Sequence, residues 1–134
     1  MKPKISMITL GVEDLEAATA FYRDGLGLPL FNAEKEGVRF FELAGTWLGL
    51  YPKNALAEDI GIHVAEMTGT GSFTLAHNVS SPAAVDAMLA QAVTAGARLI
   101  KPGQQVFWGG YSGYFQDPEG YYWEVAFNPF IDLT

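Results

Sequence analysis

The sequence contains no cysteine, only two histidines and no long apolar run. Without cysteine the chain cannot form a disulfide or a thiolate nucleophile, and a metal site would depend on histidine and carboxylate groups. No apolar stretch approaches the roughly 20 residues that cross a bilayer. The first residues, MKPKISMITL, lack an apolar targeting segment. These absences predict a cytoplasmic protein that has no membrane partner.

Positive charge is also scarce. The chain has eight Lys and Arg residues against 15 Asp and Glu residues, for a net charge of −7. Nucleic-acid binding needs clustered cations to contact phosphates, so this composition argues against it. A hydrophobic content of 49% with 17% charged residues is typical of a globular protein, and 134 residues suit one domain.

The order strand, capped helix, glycine, strand occurs twice along the chain. The first copy combines a predicted strand at residues 5–12 with a helix at 15–23, and Asp14 is its expected N-cap. The second copy combines a strand at 73–79 with a helix at 83–95, preceded by Ser81 as N-cap. Such an internal repeat predicts two similar modules that share one fold.

Turn residues divide the rest of each copy into further strands. The predicted strands are residues 28–32, 38–43 and 47–51 in the first copy, and 97–101, 104–108, 111–116 and 121–127 in the second.

We therefore predict an α+β protein of two tandem βαβββ modules, which form a curved mixed sheet around a central hollow with the helices outside. Residues 1–134 would form a single domain, with module one at about 1–55, a connector at 56–71 and module two at about 72–134. We expect a short helical turn in the chain near residues 55–59. The lone His63 is interpreted as a surface or packing residue.

The last predicted strand contains one carboxylate, Glu124, between Trp123 and Val125. Asp117-Pro118-Glu119-Gly120 precedes it and has the composition of a tight turn. Because an unpaired buried charge is costly, Glu124 must reach solvent or a partner. The sequence of this hairpin is equally compatible with a Glu124 side chain on a solvated strand face and with one in a ligand pocket.

The motifs LGVEDLEAATAFYRDGLGL and FQDPEGYYWEVAFNP, together with the repeat, resemble the vicinal oxygen chelate superfamily. This superfamily includes glyoxalase I, bleomycin-resistance proteins, fosfomycin-resistance enzymes and extradiol dioxygenases. The resemblance implies that Glu124 faces the hollow and that the protein is a homodimer. It also implies that the ligand positions of metal-dependent members fall on Met7, Gly49, Thr74 and Glu124 in this sequence.

A thioether, a missing side chain and a hydroxyl do not make a divalent-metal site, which needs three or four His or carboxylate ligands. We therefore expect no metal and no cofactor. His77 lies on the first strand of module two, but strand alternation turns it toward the helix. A β-bulge that turned His77 inward would still leave only two ligands.

The expected ligand-binding residues are Trp47, Thr74, Asn78, Trp108, Tyr111, Tyr122 and Glu124. They predict a metal-free pocket that binds a small aromatic or cationic molecule, as bleomycin-resistance proteins do. The alternative is a lyase or isomerase in which Glu124 is the catalytic general base. A divalent-metal-dependent glyoxalase or dioxygenase is a weaker alternative, because its ligands are missing.

Overall fold

The computed structural model describes residues 1–31, 37–70 and 72–134. The chain divides into two compact units, Met1–Thr68 and Gly69–Thr134. The described residues form a mixed sheet in each unit, of three strands in the first and four in the second. The predicted α+β fold of two tandem modules is confirmed.

In the described part of the first unit, the chain forms three strands and two α-helices. They are β1 (Met7–Val12), α1 (Leu15–Ala20), β2 (Arg39–Phe41), β3 (Trp47–Pro52) and α2 (Lys53–Ile60). A π-helical turn, Phe21–Gly25, extends α1, and a 3₁₀ turn, Val64–Glu66, follows α2. The strand order is β1-β3-β2, with β1 parallel and β2 antiparallel to β3.

Apolar packing between one sheet face and α1 forms the core of the first unit. Leu10 and Leu50 pair across β1 and β3 and are both buried. Tyr22, just after α1, is buried and contacts the ring of Phe41 at 6.1 Å between centroids. Asp14 begins α1 as predicted, since its carboxylate accepts a hydrogen bond from Ala17 N at 3.0 Å.

Three boundaries in the first unit differ from the sequence predictions. The predicted strand 28–32 is reduced to one bridge between Leu30 and Phe41, and Asn32 lies outside the described residues. The first helix does not stop at Arg23 but continues as a π-turn through Gly25. The expected turn at 55–59 is the eight-residue helix α2, which Gly61 ends with a φ of 88°.

The second unit has the predicted βαβββ order. Its elements are β4 (Leu75–Asn78), α3 (Pro82–Thr94), β5 (Arg98–Gln105), β6 (Tyr111–Gln116) and β7 (Tyr122–Phe127). The strand order is β4-β7-β6-β5, and only the β4–β7 pair is parallel. Among the described helices of both units, none is long and apolar enough to span a membrane.

Helix α3 covers one face of the second sheet. Ser81 Oγ accepts a hydrogen bond from Ala84 N at 3.1 Å and caps the helix, as predicted. Val85, Leu89 and Ala92 form its buried stripe, at the spacing expected of a helix that packs on a sheet. A side chain at Gly113 would lie 2.6 Å from Leu89 Cδ1, so glycine there lets α3 approach the centre of β6.

The prediction of separate strands at 97–101 and 104–108 was wrong. β5 is continuous through Pro102 and Gly103, with register shifts between Leu99 and Lys101 and between Lys101 and Gln104. Proline is tolerated because β5 is an edge strand, where a missing N–H breaks no ladder bond. Residues 106–110 form a turn in which Gly109 N donates to Val106 O at 3.0 Å.

The predicted tight turn between β6 and β7 is present. Asp117 is buried, and its Oδ1 accepts hydrogen bonds from Glu119 N at 2.9 Å and Tyr121 N at 2.8 Å. Gly120 has a φ of 95°, a conformation that residues with a side chain rarely adopt. The turn sets the register of the hairpin, so that Gln116 pairs with Tyr122.

We predict that Asp117→Ala lowers the free energy of unfolding by about 2–4 kcal/mol, because it leaves the Glu119 and Tyr121 amides without their acceptor. Urea denaturation measures the change. The control Asp59→Ala removes an equally charged but exposed carboxylate and should change stability by less than about 0.5 kcal/mol. Equal effects of the two substitutions would contradict the structural role of Asp117.

Candidate functional site

The second sheet has one face against α3 and one face turned away from it. Gly113 and Tyr111 lie on the α3 side, since a Gly113 side chain would meet Leu89 and Tyr111 Oη donates to Asp86 Oδ1 at 2.9 Å. Strand alternation then turns Tyr114 to the other side, with its register partner Glu124.

We call this other side the distal face. The members that the register pairs place on it are Ala76, Asn78, Ser112, Tyr114, Gln116, Tyr122, Glu124 and Ala126.

Glu124 lies at the centre of the distal face. It is half-buried and stands between Ala76 on β4 and Tyr114 on β6. Burial, the negative charge of Glu124 and a hydrogen bond with that carboxylate together raise the pKa of Tyr114, in that order of importance. The raised pKa keeps the Tyr114 phenol protonated at neutral pH, beside Glu124.

Two of the predicted ligand-binding residues share the distal face with Glu124. Tyr122 and Glu124 are both half-buried on β7, and Asn78 lies one row away, opposite Ala126. Thr74 immediately precedes β4 and is exposed. Among these residues the structure thus brings together an aromatic ring, a carboxamide and a carboxylate.

A cavity of about 350 Å³ opens at the ends of β4 and β7. Asn78 borders it together with Ser80, Phe127 and the segment from Asn128 to Thr134. Asn128 Oδ1 accepts a hydrogen bond from Phe130 N at 2.9 Å and turns that segment back. The volume is within the range of small-molecule sites, and Asn78 connects the cavity to the distal face.

Tyr111 and Trp108 do not join the Glu124 group. Tyr111 lies on the α3 side, where its hydrogen bond to Asp86 raises the pKa of the phenol. Trp108 belongs to the 106–110 turn, and its ring lies against Gly110, where a side chain would come within 1.9 Å of it. Their expected role as ligand contacts beside Glu124 has no support in this arrangement.

Trp47 belongs to the first unit. It begins β3, pairs with Met7 and contacts the ring of Phe31 at 4.8 Å between centroids. Gly49 faces the same side, because a side chain there would lie 3.3 Å from Met7 Sδ and 3.0 Å from Thr9 Oγ1. Trp47 and Gly49 therefore lie on one face of the first sheet, together with Met7 and Thr9.

The four positions that the family resemblance assigns to metal ligands provide a poor donor set. Met7 offers a thioether, Gly49 no side chain and Thr74 a hydroxyl, which leaves Glu124 as the one strong oxygen ligand. Within the described residues, no group of three or more His, Asp or Glu side chains could hold a metal ion. Neither observation fits a catalytic divalent metal.

Neither histidine lies beside Glu124 in the second sheet. His77 pairs with Val125, which places it on the α3 side of the edge strand β4, where it is exposed. His63 instead caps the 3₁₀ turn of the first unit, since its Nδ1 accepts a hydrogen bond from Ala65 N at 3.1 Å. The strand alternation inferred for His77 from the sequence is thus observed.

Tyr114 is a site residue that is absent from the ligand-binding residues expected from the sequence. The turn predicted at Asp117–Gly120 would pair Gln116 with Tyr121 and Tyr114 with Trp123. The structure pairs Gln116 with Tyr122, one residue further along β7, and therefore Tyr114 with Glu124.

Comparison with known proteins identifies the family. The Glyoxalase/Bleomycin resistance protein/Dioxygenase superfamily matches residues 4–125. A glyoxalase-related enzyme from Fulvimarina pelagi is 36% identical, with a TM-score of 0.84 over 95% of this chain and 89% of that one. No curated protein matched this chain.

Two further solved structures share the fold. A family enzyme from Burkholderia phytofirmans PsJN is 23% identical, with a TM-score of 0.83 over 92% of this chain and 98% of that one. A lactoylglutathione lyase from Agrobacterium tumefaciens is 24% identical, with a TM-score of 0.72 over 94% of both chains. At these identities the likeness concerns the fold alone.

We predict that Glu124→Gln lowers the pKa of Tyr114 toward its ordinary value of about 10. The decrease would be partial, because burial, the largest cause of the raised pKa, remains. NMR of ¹³C-labelled tyrosine over a basic pH range measures the shift, and Tyr114→Phe assigns the signal. The pKa of Tyr111, which depends on Asp86, should stay constant. An unchanged Tyr114 titration would contradict the pairing with Glu124.

Proposed function

Since the chain belongs to the Glyoxalase/Bleomycin resistance protein/Dioxygenase superfamily, we propose that it binds a small aromatic or cationic molecule on the distal face without a metal. The observation that carries this proposal is the half-buried Glu124 beside Tyr114 on a face shared with Tyr122 and Asn78. A carboxylate between aromatic rings suits a ligand that has both a flat apolar part and a cationic group.

The chemistry of the distal face supports a cation rather than an anion at Glu124. The carboxylate only accepts hydrogen bonds, and no Lys, Arg or His of the described residues lies within 4.0 Å of it in an ion pair. A ligand ammonium group could supply that missing charge. The net charge of −7 also attracts cations to the protein.

A second candidate function is a lyase or isomerase. The contact between Tyr114 and Glu124 favours it, because a carboxylate can take a proton from a bound substrate while a neighbouring phenol donates one. Glu124 would be the catalytic general base in this case. The same site therefore supports binding and proton transfer, and only the fate of the bound molecule separates the two functions.

We predict that benzylammonium stabilises the protein in a thermal-shift titration. Glu124→Gln should weaken benzylammonium binding about tenfold or more, because the substitution removes one charged hydrogen bond. Benzyl alcohol, which has the same shape without the charge, should bind weakly to both forms. Equal affinity of benzylammonium for the two forms would overturn the role of Glu124. Mass spectrometry after long incubation separates an intact ligand from a converted one.

The same assay tests the metal-free part of the proposal. Because the donor set lacks three strong ligands, Ni²⁺, Zn²⁺, Mn²⁺ and Fe²⁺ should leave the melting midpoint unchanged. Stoichiometric binding of one of these ions that is lost in Glu124→Gln would overturn it. Purification without a histidine tag prevents binding at a foreign site.

The family relationship extends the proposal to a homodimer. A mass of one chain, 14.5 kDa, in light scattering at micromolar concentration would contradict the dimer.

A further inference from the structure

The second unit has only two positively charged side chains, Arg98 and Lys101, and β5 contains both. The same unit contains five carboxylates and is negatively charged as a whole. The edge strand β5 is therefore a positively charged segment of a negatively charged unit. Neither cation forms an ion pair with the described residues. Their position relative to Glu124 therefore determines whether a ligand bound at Glu124 can also place an anionic group near a positive charge.

A β-bulge determines which way Lys101 faces. Leu99 pairs with Phe115, on the α3 side of the sheet, and simple alternation would put Lys101 on that side too. The register shifts after Leu99, and Lys101 pairs with Tyr114 instead. One extra residue in β5 thus turns the lysine to the distal face, as bulges commonly re-aim side chains.

The bulge completes a row of side chains across three strands. Glu124 on β7 pairs with Tyr114 on β6, and Tyr114 pairs with Lys101 on β5. With neighbouring strands about 4.8 Å apart, the backbones at the two ends of this row lie about 10 Å apart. A carboxylate and an ammonium group therefore stand on either side of a phenol ring.

We propose that Lys101 is a second recognition residue of the site and that the ligand is zwitterionic, with a cationic group for Glu124 and an anionic group for Lys101 on opposite sides of an aromatic ring. This inference rests on the proposed function, since it assigns Glu124 the cationic end. It extends that function by naming an anionic group that a merely cationic ligand would lack.

The lysine matters because the rest of the chain repels anions. With a net charge of −7 and Glu124 two strands away, an anionic group on the distal face needs a local positive charge. Lys101 is exposed, so its attraction is modest and screened by salt. Lys101 therefore raises the affinity for those ligands of Glu124 that also have an anionic group.

The test compares three probes that share a benzene ring. Para-aminomethylbenzoate has both charges, benzylammonium only the positive one and para-methylbenzoate only the negative one. Isothermal titration at low salt should show para-aminomethylbenzoate binding about fivefold more tightly than benzylammonium, the gain typical of one exposed charge pair. That gain should shrink as the salt concentration rises.

Lys101→Gln should abolish this gain, so that para-aminomethylbenzoate binds no more tightly than benzylammonium. The control Arg98→Gln removes the same charge from the same strand, but Arg98 pairs with Gln116, one row away from Glu124, so the gain should persist. Because both side chains are exposed, neither substitution should change the melting midpoint of the free protein appreciably.

Equal affinities of the wild-type protein for para-aminomethylbenzoate and benzylammonium would overturn the inference while leaving the proposed function intact. A gain that survives Lys101→Gln would overturn it as well. Failure of the proposed function has a different signature, namely benzylammonium binding that does not depend on Glu124.

Discussion

The hydrogen bonds of the buried Asp117 determine the arrangement of the candidate site. They close the turn between β6 and β7, and the length of that turn sets which residues of the two strands face each other. A slip of one residue would turn Glu124 toward α3, because side chains alternate between the faces of a strand. The pairing of Glu124 with Tyr114 thus depends on the turn that Asp117 closes.

Packing of α3 explains how a polar row can persist in the second sheet. The helix stripe of Val85, Leu89 and Ala92 buries one face of the sheet, and this apolar contact supplies the core of the unit. The distal face therefore need not be apolar for the unit to be stable. It can hold Glu124 and Tyr114 half-buried, where a carboxylate retains part of its hydration and still raises the pKa of its neighbour.

Irregularities of β5 decide the charge pattern of the same face. A regular strand would put Lys101 beside Leu99 on the α3 side, and the row would end at Tyr114. The bulge costs ladder hydrogen bonds, but β5 is an edge strand and has fewer to lose. An edge strand can therefore adjust a binding face without disturbing the centre of the sheet.

The residues alone predict the repeated modules, both N-caps, a turn at Asp117–Gly120 and the orientation of His77 toward α3. These features depend on local chemistry and on the two-residue period of a strand, which a sequence displays directly. Three other features become visible in the folded protein alone: Tyr111 donates to Asp86, Trp108 packs against Gly110, and Lys101 pairs with Tyr114. Bulges and cross-strand pairs arise from the partner strand, and a single strand's residues do not encode their partner's register.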